Sequence, residues 1–216
     1  MQEGTRMSIN KVRNSTEMPR RTRGRPRAFE PEAALDHARR VFLQKGFAAA
    51  SLDDLAAATG LNRPSLYAAF GDKEQLYVLA LRRYVGQLLA GLDAILAEEA
   101  PVAVRMKRVF EAAIRLYCAP PHHAGCMLVS TATTESPGRP VIAVASAELI
   151  AEFDRRFEKC FKRAIGAAEL ARKPAARTRA HMASALLHTL AVRARTGTPA
   201  AELAAIANAF IPAFCE

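Results

Sequence analysis

Tryptophan is absent from this 216-residue chain and tyrosine occurs only four times. Apolar runs of about 18 residues are also missing, so no helix is expected to span a membrane. The four cysteines, Cys118, Cys126, Cys160 and Cys215, form no CxxC pair and no disulfide-framework spacing. Reduced thiols in a reducing compartment are the expectation. The N-terminus is polar and lacks the apolar segment of a secretory signal, which points to a cytoplasmic protein. No G-x-S-x-G, H-E-x-x-H, P-loop or dinucleotide fingerprint occurs, and His181 and His188 stand seven apart on one helical pattern. Nothing there assembles a catalytic centre, so an enzyme is not expected. No cofactor is implied, and no internal repeat is visible.

Half of the residues are hydrophobic, enough for a substantial core. Composition leans to Ala, Leu, Arg and Glu, which lose little side-chain freedom in a helix. The fold class expected is therefore all-α, with about nine helices. The net charge is +10. Residues 1 to 29 hold seven Arg and one Lys against two Glu, a net of +6. A basic surplus concentrated in this way bespeaks nucleic acid as a partner. The chain divides into a flexible basic arm (1–28), a helix-turn-helix unit (29–75) and a larger helical domain (76–216).

Within the arm, Arg23-Gly24-Arg25-Pro26-Arg27 stays extended, so its arginines can lie along a narrow, negative minor groove. The alternative is a solvated, non-specific basic tail. A first helix is expected from Pro31, with Leu35, Ala38, Val41 and Phe42 on one face and Gly46 as its terminator. Ser51 reads as the cap of a second helix, with Asp53 and Asp54 in its first turn. Gly60 supplies the turn, Leu61 plugs the interhelical angle, and Asn62 caps a third helix with Pro64 in its opening turn. Leu66 and Phe70 face inward, leaving Asn62, Arg63, Ser65, Tyr67 and Ala68 outward. Asp72 caps the helix that follows. Two short helices about a glycine turn form a helix-turn-helix, whose second helix reads the major groove with its N-terminal residues. Arg63 can fork onto guanine, while Tyr67 and Lys73 can reach phosphates.

Three runs in this stretch carry a family pattern. They are Ala38-x-x-Val41-Phe42-x-x-x-Gly46-Phe47, Ser51-Leu52-x-Asp54-Leu55-Ala56-x-x-x-Gly60-Leu61, and Ser65-Leu66-Tyr67-x-x-Phe70-x-Asp72-Lys73-Glu74-x-Leu76. Their combined spacing makes residues 31 to 76 resemble the N-terminal domain of the TetR family of bacterial one-component transcriptional regulators. Ala68 and Ala69 stand where that family often carries larger side chains, and Pro64 where a small glycine is common. More of the readout would then fall to Arg63 and the arm. The resemblance implies a homodimeric repressor whose double-stranded DNA operator is released by an effector.

Downstream, a long amphipathic helix is expected from Asp72 to about Glu99, a lever from the reading head into the second domain. Prolines and glycines punctuate five more helices, beginning near Pro101, Cys126, Val141, Pro174 and Pro199. Met182, Leu186 and Leu190 form one stripe near the end, and Leu203, Ile206, Phe210 and Phe214 another. Two such helices from each chain could pair as a four-helix bundle, or the stripes could cover the chain's own core. An unknown small-molecule effector would lie between helices, with Tyr84, Phe110, Tyr117, Cys126, Met127, Phe153 and Phe157 as candidate lining.

Cys126 carries three readings. With His122 it has two metal-ligand types four apart, yet a structural zinc site wants four, so no metal is expected. At a helix N-terminus beside two histidines it could be a reactive thiol. The Gly125-Cys126-x-Leu128-Val129 run resembles a subset of the family with members that sense electrophiles or oxidants. Or it is a small buried hydrophobe. Repression and activation both remain open, as does a non-specific architectural role on DNA.

Overall fold

A computed structural model describes residues 30–120 and 125–215. All regular structure among them is helical. The head comprises α1 (Pro31–Ala49), α2 (Leu52–Thr59) and α3 (Arg63–Phe70). The body comprises α4 (Lys73–Ala97), α5 (Val102–Tyr117), α6 (Met127–Ser130), α7 (Pro140–Gly166), α8 (Ala176–Arg195) and α9 (Ala200–Cys215). A π-helical turn, Thr131–Glu135, continues α6.

The head starts and stops where its local chemistry demands. Ser51 Oγ accepts from the Asp54 amide at 3.1 Å, and Asp54 Oδ2 accepts from the Ser51 amide at 3.0 Å. This reciprocal box satisfies two donors at the start of α2. Asn62 Oδ1 accepts from the Ser65 amide at 2.9 Å, and Asp72 Oδ1 from the Gln75 amide at 2.8 Å. Each cap contributes about 1 kcal/mol to its helix. Gly60 ends α2 at φ +69°, a left-handed conformation that a β-carbon would strain. Gly46, at φ +76°, breaks the α1 ladder, and one further turn carries the chain to Ala49.

Packing then joins head to body. Phe42, Leu55, Leu66 and Phe70 are buried in the head and meet α4 through Leu76, Tyr77 and Leu81. Along α4 the stripe runs on through Tyr84, Val85, Leu89 and Leu92, whereas Leu79 faces outward. In the body α7 lies along α8, and α9 packs on α5 and α8. Phe214 meets Phe110 and Phe161 at ring separations of 5.9 and 6.1 Å. Beside them the fully buried Arg179 donates to the carbonyls of Ala171, Lys173, Pro174 and Phe214 at 2.7–3.2 Å. Four carbonyl acceptors, one at the end of α9, stand in for a carboxylate there. No helix among the described residues is long and apolar enough to cross a membrane.

Candidate nucleic-acid interface

The turn between α2 and α3 presents the outer face of α3 to solvent. Asn62, Arg63, Pro64, Tyr67 and Ala68 are exposed and Ser65 is half-buried, while Leu66 and Phe70 anchor the opposite face. Tyr67, at 48% exposure, is the large ring on this surface. Arg63 is already engaged. Its Nε donates to Asp53 Oδ1 at 2.8 Å and its Nη2 to Asp53 Oδ2 at 2.5 Å, a fork across the turn. The hydrogen bond, then the charge, of Arg63 lowers the Asp53 pKa; the same two causes from Asp53 raise that of Arg63. The fork that suits guanine is thus held extended by a carboxylate, which bases or phosphates must displace or carry along.

Lys73, the other expected phosphate contact, is engaged within the chain. Its ammonium folds inward, 4.5 Å from the Phe47 ring centre and 3.5 Å from the Ala48 carbonyl. Burial first, then the nearby Arg139 charge, lowers its pKa, against the pull of Glu135. Arg23, Arg25 and Arg27 lie outside the described residues.

Glu135, on the π-helical turn, is a residue that sequence patterns passed over. Because Gly46 breaks the helix, the Phe47 amide needs an acceptor from elsewhere. Glu135 Oε1 takes it at 3.1 Å across 88 residues. Arg139 pairs with Glu135 at 3.7 Å and also lies over the Phe47 ring, at 4.6 Å. Tyr77, edge-on to Phe47 at 5.3 Å, bonds Thr131 through its hydroxyl at 2.8 Å. The body therefore grips the segment that leads straight into the Ser51 cap.

The expected effector lining is divided. Tyr117 and Phe153 border an apolar cleft of about 260 Å³ between α4, α5, α7 and α8, with Leu88, Leu92, Val109 and Leu187. Phe110, Met127 and Phe157 are buried in the core. Tyr84 is buried, and its hydroxyl donates to Cys126 Sγ at 3.9 Å. Cys126 caps α6 but is 5% exposed, and burial pushes its pKa up against the pull of the α6 amides. A ready thiolate is not what this environment favours. His122 lies outside the described residues; among the described ones no three His, Cys, Asp or Glu gather to hold a metal. For the dimer stripes, Leu186, Leu190 and Leu203 are buried in their own chain's core, out of a partner's reach. Met182 and Ile206 are half-buried, and Phe210 on α9 is 54% exposed, as is Val192 on α8 at 50%.

A helix-turn-helix head latched to a helical body is an architecture suited to a DNA-binding regulator. The sequence profile of the bacterial regulatory proteins of the tetR family matches residues 34–80. The chain is 38% identical over 131 residues to the transcriptional repressor ComR of Escherichia coli K12, covering 60% of this chain and 62% of that one. It is 40% identical over 129 residues to the repressor BdcR of the same strain, covering 60% and 66%. These matches span just under two thirds of the two repressors' lengths. Among solved structures, a cysteine mutant of the TetR-family regulator CifR, complexed with 26-base-pair operator DNA, superposes with a TM-score of 0.80 at 30% identity. That superposition covers 88% of this chain and 99% of CifR. The chain belongs to the TetR family of transcriptional regulators.

Proposed function

We propose that this protein is a homodimeric repressor that reads operator DNA with α2 and α3 and lets go when a small molecule enters its body. The observation that carries the reading is the doubly capped helix-turn-helix, with Arg63 and Tyr67 on the outward face of a helix held rigidly from behind. The operator complex of CifR, similar over nearly the whole chain, supports the same use of this surface. A second copy would meet α8 and α9, where Val192 and Phe210 leave apolar surface in water. The apolar cleft beside Tyr117 and Phe153 suits an uncharged effector. A thiol-reactive signal has less support, since burial opposes ionisation of Cys126.

The test is binding to a panel of operator variants. Arg63→Ala should remove about 1–3 kcal/mol of discrimination at one base pair and leave other positions unchanged. An equal loss on every variant would remove Arg63 as a base reader. Equal affinity for operator and random duplex would instead favour a non-specific DNA protein acting through the basic arm.

A further inference from the structure

We propose that the cleft between α1 of the head and the body is a binding site for a small organic anion with an apolar body, held by Arg39. The cleft measures about 580 Å³, within the range of small-molecule sites. It adjoins the apolar cleft beside Phe153 at Leu116 but opens on α1 instead. Arg39 and Arg40 reach it from α1 and Arg195 from the end of α8; Leu43, Tyr84 and Leu116 supply apolar walls. Among its described lining residues three are arginines and none is a carboxylate.

The state of Arg39 gives the cleft its chemistry. Its Nε is buried and makes no hydrogen bond among the described residues. Arg83 and Arg105 also leave Nε unbonded, but both pair with carboxylates, Asp36 and Glu32 for the first and Glu169 for the second. Arg39 has the face of Tyr84 instead, 5.3 Å from its ring centre. A guanidinium over a ring, with its Nη groups making no hydrogen bond among the described residues, can receive a carboxylate end-on. The other large cleft, lined by Arg155, Arg156 and Arg163, shows the contrast: the first two are already paired with Glu152 and Asp93, and Arg163 donates to the Leu96 carbonyl.

An anion in this cleft would touch head and body at once. Tyr84 also bonds Cys126, which caps α6. That helix runs on into the turn whose Glu135 holds the Phe47 amide. Occupancy would thus set the pose of the head through two routes. The binding claim stands without the operator reading; only its consequence for DNA rests on that reading.

The experiment titrates the full chain with benzoate and phenylacetate, using benzamide and phenylacetamide as neutral isosteres. Heteronuclear NMR of the arginine Nε–H groups reports on the site. The carboxylates should shift the Arg39 signal saturably at millimolar concentration and the amides should not. Arg39→Gln should weaken benzoate about 10- to 100-fold, the loss of a charge-assisted bond. Arg39→Lys keeps the charge but loses the fork, and should also weaken binding if Arg39→Gln does not fold. Arg155→Gln, in the other cleft, should leave binding unchanged. Amides that bind as well as carboxylates, an unmoved Arg39 signal, or full affinity in both Arg39 variants would each overturn the proposal. A labelled operator duplex added last separates the two claims: a chain that binds benzoate but no duplex leaves the site standing and removes the operator reading.

Discussion

Replacing Glu135 should loosen the head without touching the DNA-facing surface. The side chain is 12% exposed and accepts from the Phe47 amide while pairing with Arg139. In Glu135→Ala the Phe47 amide loses its acceptor, and Lys73 and Arg139, both over one ring, lose their shared counter-charge. A hydrogen bond to a charged acceptor contributes about 1.5–3 kcal/mol. For a chain of this size that corresponds to a fall in Tm of about 3–12 °C. Hydrogen exchange at the Phe47 amide should quicken by about 10- to 100-fold, because its protection is local to this contact. Glu135→Gln keeps an acceptor oxygen and loses the charge, so it should fall between the two. Glu148→Ala breaks only an exposed pair with Arg82 and serves as the control, with a change within about 0.5 kcal/mol. Wild-type exchange at Phe47 in Glu135→Ala would refute the reasoning, whatever happened to Tm.

Three further outcomes are expected. Phe210→Glu, at an exposed position on α9, should leave helicity intact and convert a dimer to monomer in sedimentation; an unchanged mass would move the interface elsewhere. Burial holds the His188 pKa below the ordinary 6.5, with the Asp154 charge opposing. The unfolded chain then binds a proton that the folded one refuses, so stability should be full above pH 6.5 and fall as pH drops through the folded value. His188→Leu should flatten that slope in denaturant titrations, and a parallel curve would refute the assignment. In timed alkylation with mass mapping, half-buried Cys118 should react before buried Cys126 and Cys160. Cys215, pushed up to about 12 by burial, should lag too; a Cys126 that leads would restore the thiol sensor.

The parts of this molecule that sequence reveals are those whose causes are local. Ser51, Asn62 and Asp72 each cap the helix beside them with a bond spanning three residues, so their identities suffice. Gly60 needs only its own backbone angle. The outward and inward faces of α3 follow from helical period, and Leu66 and Phe70 are buried as that period requires. Legibility fails once a side chain has two suitable destinations. An aromatic on an apolar stripe can line a cleft or fill a core: Phe153 does the first and Phe157 the second, with nothing in their spacing to separate them. An exposed arginine can wait for DNA or take a nearby carboxylate, and Arg63 takes Asp53 ten residues back.

Gly46 shows where the boundary lies. Its glycine identity says that the helix stops there, and a stopped helix leaves an amide without a partner. That much is a local deduction, and it predicts that something must come to Phe47. What comes is Glu135, from the far domain, on a turn wound with the wide π geometry at the end of a short helix. No periodicity marks that carboxylate, because its job is set by a defect 88 residues away. The same logic makes the contact sensitive to position in a way that packing is not. Extra apolar burial would bind head to body just as firmly, but it would not depend on the placement of one turn. A single charged acceptor does depend on it. A displacement of the turn after α6 by the length of a hydrogen bond should therefore deprotect the Phe47 amide while Phe42 and Tyr77 still pack its ring.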